Sequence, residues 1–243
     1  MTSDIQDTPF VKQLAANDRP TREKALESLR IYLTSGRTFT STDLRKIWKG
    51  LFFCIHHTDR PLPQQRLSTS LAALLLQLPT PLFLPFLHAF WGTIIAYWSQ
   101  IPSLRLDKYL YLIRQYISHS FLYLQQHGWE GGEGGLVEGY LNLVEEMPLS
   151  ARDGKVADGV RYHVFDVWVD GLVGAEGWEG QRGVVMRPVV KLGREGRTKI
   201  VRERARAVLE DVRLKESEED GSGGEAEERG EGDEDGEFEG FGE

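Results

Sequence analysis

Apolar residues along this chain return every three or four positions, the spacing of a helix with one buried face. After Asp18-Arg-Pro-Thr they fall at Ala25, Leu26, Leu29, Tyr32 and Leu33, and Gly36 supplies the left-handed residue that ends such a helix. Ser41, Thr42 or Asp43 can cap the next helix, whose inner stripe is Leu44, Ile47, Trp48, Leu51, Phe52 and Ile55. Asp59-Arg-Pro-Leu-Pro is a break, and a third helix is expected from there to about Leu78. Pro79-Thr-Pro turns the chain into an aromatic segment ending near Ser99. Pro102 then restarts a long helix with Leu106, Tyr109, Leu110, Ile113, Ile117 and Leu124 on one side. Further helices are predicted near Leu136–Glu146, Val156–Val173, Val184–Leu192 and Thr198–Arg213, with glycine-rich connections at Gly131–Gly135 and Gly174–Gly183.

Long helices with short connections imply antiparallel hairpins, and no convincing alternating strand pattern competes with them. The expected fold is therefore all-α, a solenoid-like stack of helical hairpins of the HEAT-like or ARM-like kind, over residues 8–214. Residues 215–243 form an acidic C-terminal tail too poor in apolar residues to offset its ordering entropy, so disorder is expected there. Pro81–Trp98 is the one segment apolar enough to suggest a membrane span; with Pro81, Pro85, His88 and Gly92 inside it and no basic flank, it is expected to be a core helix. Met1–Asp7 is polar and acidic, unlike a secretory signal.

Charge divides the chain in the same place. The net charge of −8 averages a tail with 14 acidic residues and one basic residue over Glu216–Glu243 with a body of net +5. A mildly basic body suits a phosphate-rich partner, and the tail suits basic proteins or the body itself, which it could cover until RNA displaces it. The densest cationic run is Arg182–Arg206, nine basic residues against Glu195 and Glu203. On its last helix Lys199, Arg202, Arg206 and Arg213 share one face, away from Val201, Ala205, Val208, Leu209 and Val212, as a candidate RNA-phosphate stripe; a merely solvated face is the alternative. Arg105 and Lys108 on the long helix are further RNA candidates, whereas Asp107 and Arg114 suit pairing with neighbouring helices. Opposite the Trp48 stripe, Lys46, Lys49, Phe53 and His57 form a basic and aromatic face for a partner protein or RNA, unless Phe53 packs on the next hairpin and the lysines are only solvated.

Catalytic signals were sought and are missing from the sequence. Cys54, His56 and His57 lack zinc-site spacing, and His119 and His127 are too far apart on a helix to share a metal. Gly193-Arg-Glu-Gly-Arg-Thr lacks the ending and the preceding strand of a phosphate loop. No cofactor, small-molecule substrate or membrane is expected, and a lone cysteine fits a reducing compartment.

Several stretches resemble the ribosomal RNA processing protein 1 family. They are Pro9-Phe-Val-Lys-Gln-Leu-Ala-Ala-Asn-Asp, Leu44-Arg-Lys-Ile-Trp-Lys-Gly-Leu-Phe-Phe-Cys, Asp59-Arg-Pro-Leu-Pro-Gln-Gln, Phe90-Trp-Gly-Thr, Leu104-Arg-Leu-Asp-Lys-Tyr-Leu-Tyr-Leu-Ile-Arg and His127-Gly-Trp-Glu, in the family's order. Weaker similarity runs through Gly159–Leu172, and the glycine-rich linker after Trp129 departs from the pattern. The resemblance implies a non-catalytic nucleolar ribosome biogenesis factor of early large-subunit (60S) precursors, supporting pre-rRNA processing. It implies pre-rRNA, other assembly factors and ribosomal proteins of the pre-60S particle as partners, in the nucleus and nucleolus. A helical protein-protein adaptor with no RNA contact remains the alternative.

Overall fold

The computed structural model describes residues 9–14, 16, 18–129 and 134–214. The acidic tail expected over 215–243 and most of the expected Gly131–Gly135 loop lie outside the described residues. Every regular element among the described residues is helical: α1 (Pro9–Leu14), α2 (Arg19–Thr34), α3 (Ser41–His57), α4 (Pro61–Ala73), α5 (Thr80–Tyr97), α6 (Leu106–Gln126), α7 (Leu136–Glu146), α8 (Asp158–Val173), α9 (Arg182–Val185), α10 (Arg187–Glu195) and α11 (Lys199–Leu209).

Helices pack two places along the chain as far as α8 and three places beyond, where the short α9 intervenes: α1 on α3, α3 on α5, α5 on α7 and α7 on α10 in one layer, with α4 on α6, α6 on α8 and α8 on α11 in the other. Chain neighbours run antiparallel. Phe83 near the start of α5 stacks on Tyr123 near the end of α6, and Phe90 further along α5 stacks on Tyr116, one heptad back. Neighbours within a layer run parallel, since Trp48 meets Phe86 and Phe90 while Phe52, a turn later, meets Tyr97. Antiparallel pairs whose equivalent helices lie parallel form a two-layer, solenoid-like stack.

α6 is the spine of the even layer. Tyr109, Tyr116 and Tyr123 repeat every seven residues, two helical turns, so they share a face. Their hydroxyls donate to the carbonyl oxygens of Phe52, Leu71 and Leu78 at 3.1, 3.0 and 3.0 Å. Burial of three phenols is tolerable because each hydroxyl finds an acceptor. α5, long and apolar enough to cross a membrane by length and composition, buries Phe83, Phe86, Leu87, Phe90, Trp91 and Ile94 in the shared core.

Local sequence explains most ends, with some corrections. Asp18 caps α2 by accepting from the Thr21 amide at 3.0 Å, and Gly36 follows its end at φ +74°. Thr40, not Ser41, Thr42 or Asp43, caps α3; it forms a reciprocal box with Asp43, which leaves Asp43 inside the first turn. The expected break at Asp59–Pro63 is shorter, because Pro61 and Pro63 sit in the first turn of α4, where a missing amide costs little. α4 gives way to a 3₁₀ turn at Leu74–Gln77. The helix predicted over Val184–Leu192 is two helices, parted at Met186 ahead of Pro188.

Candidate functional site

The cationic stripe expected on α11 is largely turned onto the protein itself. α10 and α11 form a tight hairpin around Gly193 and Gly196: a Cβ on Gly193 would come within 3.3 Å of the Arg206 Cγ, and one on Gly196 within 2.7 Å of the Leu192 oxygen. Through this close approach the Arg206 Nε donates to the Gly193 carbonyl at 3.0 Å, and an Arg202 Nη to the Gly196 carbonyl at 2.7 Å. Both guanidiniums thus satisfy orphan carbonyls at the C-terminal end of α10, where the helix dipole also favours a cation. Arg213 forks onto Asp211 and reaches Asp170 of α8 at 3.0 Å. Its hydrogen bonds to Asp211 and then to Asp170 raise the Arg213 pKa above its ordinary value. Lys199 projects to solvent beside Glu203 at 3.5 Å, an exposed pair of little energetic weight.

The rest of the basic run fastens hairpins together. Arg187 pairs with Glu145 and Glu138 of α7 at 2.6 and 2.7 Å, and Lys191 with Glu145 at 2.7 Å. Arg204 lies over the Tyr162 ring of α8, 4.4 Å from its centroid. Arg194, in the last turn of α10, and Arg197, in the α10–α11 turn, remain at the surface.

Lys108 corrects the sequence expectation outright: it is buried, not on an open polar face. Its ammonium donates to the carbonyl oxygens of Ile55, His56 and Thr58 at 3.1, 2.9 and 2.9 Å, and Asp59 stands 3.4 Å away. Burial pulls its pKa below the ordinary 10.5, and Asp59 pushes back. Arg105 joins it, donating to the His56 carbonyl at 3.0 Å with Asp59 at 3.4 Å. Together the two cations finish the C-terminal end of α3. Neither the buried ammonium nor this capping geometry suits an external phosphate.

On the outer face of α3, Lys46 and His57 are exposed and Lys49 is half-buried. Phe53 is half-buried and packs edge-on to Tyr97 of α5, with ring centroids 5.7 Å apart, so it belongs partly to the core. Burial pushes the neighbouring Cys54 thiol up to about 12, which leaves it unreactive. No group of three His, Cys, Asp or Glu side chains among the described residues is disposed to hold a metal.

Arg114, expected to pair with a neighbouring helix, and Trp129 both take clear structural positions. Arg114 pairs with Asp170 at 2.7 Å, joining α6 to α8. Trp129 adopts φ +53°, packs against Phe121, and donates its indole N–H to the Glu176 carbonyl at 2.7 Å.

One feature escaped the sequence pattern because it depends on the path of an irregular loop, which helical spacing does not show. Arg161 of α8, buried, threads into the loop before its own helix. It donates to the carbonyl oxygens of Ser150, Asp153 and Val156 at 2.6, 2.9 and 2.5 Å and pairs with Asp158 at 2.9 Å. The loop so fixed presents Arg152 and Lys155 outward, against the α10–α11 turn. The signal in the sequence was an arginine amid the apolar positions of α8.

Comparison with known proteins gives these positions a context. The family model described as nucleolar protein, Nop52, matches residues 5–241. Ribosomal RNA processing protein 1 homolog B of Homo sapiens is 34% identical over 169 residues, which is 67% of this chain and 22% of that protein. Homolog A of Mus musculus is 34% identical over 171 residues, covering 67% of this chain and 33% of its own length. The Drosophila melanogaster homolog is 27% identical over 199 residues, 76% of this chain and 28% of its own. The chain therefore spans about a third or less of each of these relatives.

Proposed function

The chain belongs to the Nop52 family of nucleolar proteins, and on that premise we propose that it is a non-catalytic ribosome biogenesis factor. It scaffolds early nucleolar precursors of the large subunit and supports pre-rRNA processing. Its helical body, residues 8–214, meets pre-rRNA, assembly factors and ribosomal proteins of the pre-60S particle, and the acidic segment 215–243 modulates those contacts. The match of the family model across 5–241 carries this reading, with relatives named for ribosomal RNA processing. A stack of hairpins held by buried aromatics and inter-helix cations supports it: such a body offers broad rigid faces rather than a reactive cleft. For the protein face, exposed Lys46 and His57 with Lys49 and the rim of Phe53 remain the proposed residues.

The test is purification of the tagged chain from cells, followed by sequencing of bound RNA and mass spectrometry of bound proteins. Pre-rRNA spanning the internal spacers and large-subunit assembly factors are expected; a preparation holding neither overturns the proposal. The second reading, an adaptor that touches only proteins, is favoured by the inward engagement of Arg202, Arg206, Arg105 and Lys108. Ultraviolet crosslinking separates the two: assembly factors recovered without crosslinked rRNA select the adaptor.

A further inference from the structure

We propose that the loop at residues 150–157 and the α10–α11 turn together form a cationic platform that binds RNA phosphates. The inference rests on the ribosome-biogenesis reading for its choice of ligand, and it relocates the RNA contact from the α11 stripe to residues the stripe does not include.

Two independently fixed segments build the platform. The loop is pinned from beneath by Arg161, whose three carbonyl contacts leave its backbone little freedom. Asp153 accepts from the Lys155 amide at 2.8 Å, so that carboxylate is engaged with the main chain. The turn is pinned by the Arg202 bond to Gly196 and by Thr198, which caps α11 through the Val201 amide at 3.2 Å. The segments touch at Gly154: a Cβ there would stand 2.5 Å from an Arg197 Nη. The Arg197 guanidinium therefore lies against the bare backbone of Gly154, next in sequence to Lys155, in a space that glycine leaves open.

The charges on this surface favour an anion. Arg152, Lys155, Arg194 and Arg197 are all exposed, against the carboxylates of Asp153 and Glu195. Among the described residues Arg152 pairs with Glu195 at 3.9 Å, and the Arg152 side chain is 91% exposed. Such a pair holds its arginine weakly, and a phosphate with charge-assisted hydrogen bonds competes well with it. By contrast Arg187, Lys191 and Arg213 are held at 2.6–3.0 Å by carboxylates of other helices. The exposed side chains of the platform among the described residues are charged or polar, so the phosphate backbone is what it recognises, without regard to sequence.

The experiment is fluorescence anisotropy of the full chain with a labelled uridine oligomer and with an RNA duplex, each over a salt series. The triple variant R152E/K155E/R197E should lose about tenfold or more in affinity, and its slope of log affinity against log salt on the single strand should flatten by about 2, roughly 0.7 for each of the three lost contacts. A control with the same charge change elsewhere, K24E/R45E/R66E, should retain most of the affinity. The neutral variant R152Q/K155Q/R197Q, with melting followed by circular dichroism, keeps the test sound should the reversal fail to fold. Equal losses in the platform and control variants would reduce the effect to bulk charge and overturn the platform. Wild-type chain that binds neither RNA would overturn it too, while leaving the co-purification test of ribosome biogenesis to stand or fall separately.

Discussion

The Lys108 ammonium lies 2.9 Å from the Thr58 carbonyl oxygen, so a side chain of α6 closes the end of α3. Fifty residues apart in sequence, the pair joins the two layers. Replacing Lys108 with Met keeps the stem but takes a donor from three carbonyls; Ile55 retains the Thr58 amide and His56 retains Arg105, so Thr58 bears most of a cost of about 1–3 kcal/mol. Urea unfolding should show a lower midpoint with little change in slope. An unaltered midpoint would mean that water satisfies those carbonyls.

Gly171 sets how closely α8 crosses α6. A Cβ there would sit 3.1 Å from the Ile117 Cγ2 and 3.3 Å from the Ser118 Cα, and a main-chain atom cannot step aside as a side chain can. Gly171→Ala should destabilise by about 1–3 kcal/mol despite its better helix propensity, and Gly171→Leu by more. Thermal melts of both variants check this; a stabilised alanine variant would refute the close crossing.

Trp129 is expected to act as a clamp on the segment after α8. Trp129→Ala removes its ring contact with Phe121 and its bond to Glu176, with a loss of about 3–5 kcal/mol. Limited proteolysis should then cut near Gly174–Gly183 faster than in the parent. Equal cutting rates would show that the other contacts of that segment suffice.

Acid should weaken the fold in two stages. His56, His119 and His163 all have pKa values held below the ordinary 6.5, chiefly by burial. Between those lowered values and 6.5 the unfolded chain binds more protons than the folded one, so stability falls as pH drops below about 6.5. Asp170 and Asp211 follow. Burial acts to raise the Asp170 pKa, but Arg114 and Arg213 bring it below 3.8; the Arg213 hydrogen bond lowers that of Asp211. Their contribution is present above 3.8 and disappears as pH falls through the lower folded values. Melting temperatures across this range check both stages, and His163→Gln should shrink the first. A flat profile from neutrality to pH 5 would contradict the buried histidines.

Much of the fold was legible in the sequence because helical period and helix ends are local properties. The Trp48 stripe, Gly36 and the buried character of the aromatic α5 needed no tertiary knowledge. Lys108 was misplaced for an equally physical reason. Its helix has neighbours on several sides, and a long side chain on a polar arc can reach a carboxyl terminus that a helical wheel does not show. The same holds for Arg202 and Arg206, which turn back to α10 because Gly193 and Gly196 let the two helices close. The glycines were visible; the direction of the hairpin was not. Gly154 and Arg197 meet only because Arg161 shapes the loop between α7 and α8.

The tyrosines of α6 make that helix behave as a toothed rack. Each phenol engages its acceptor in one phase only, and the three acceptors belong to segments before α5. Inserting one residue between Tyr109 and Tyr116 would rotate everything after it by about 100° relative to what precedes it. Two teeth would disengage at once, each leaving a hydroxyl and a carbonyl stranded in apolar surroundings. Evolution can therefore lengthen the loops of this protein one residue at a time, but α6 admits change only in steps that bring the teeth back into mesh.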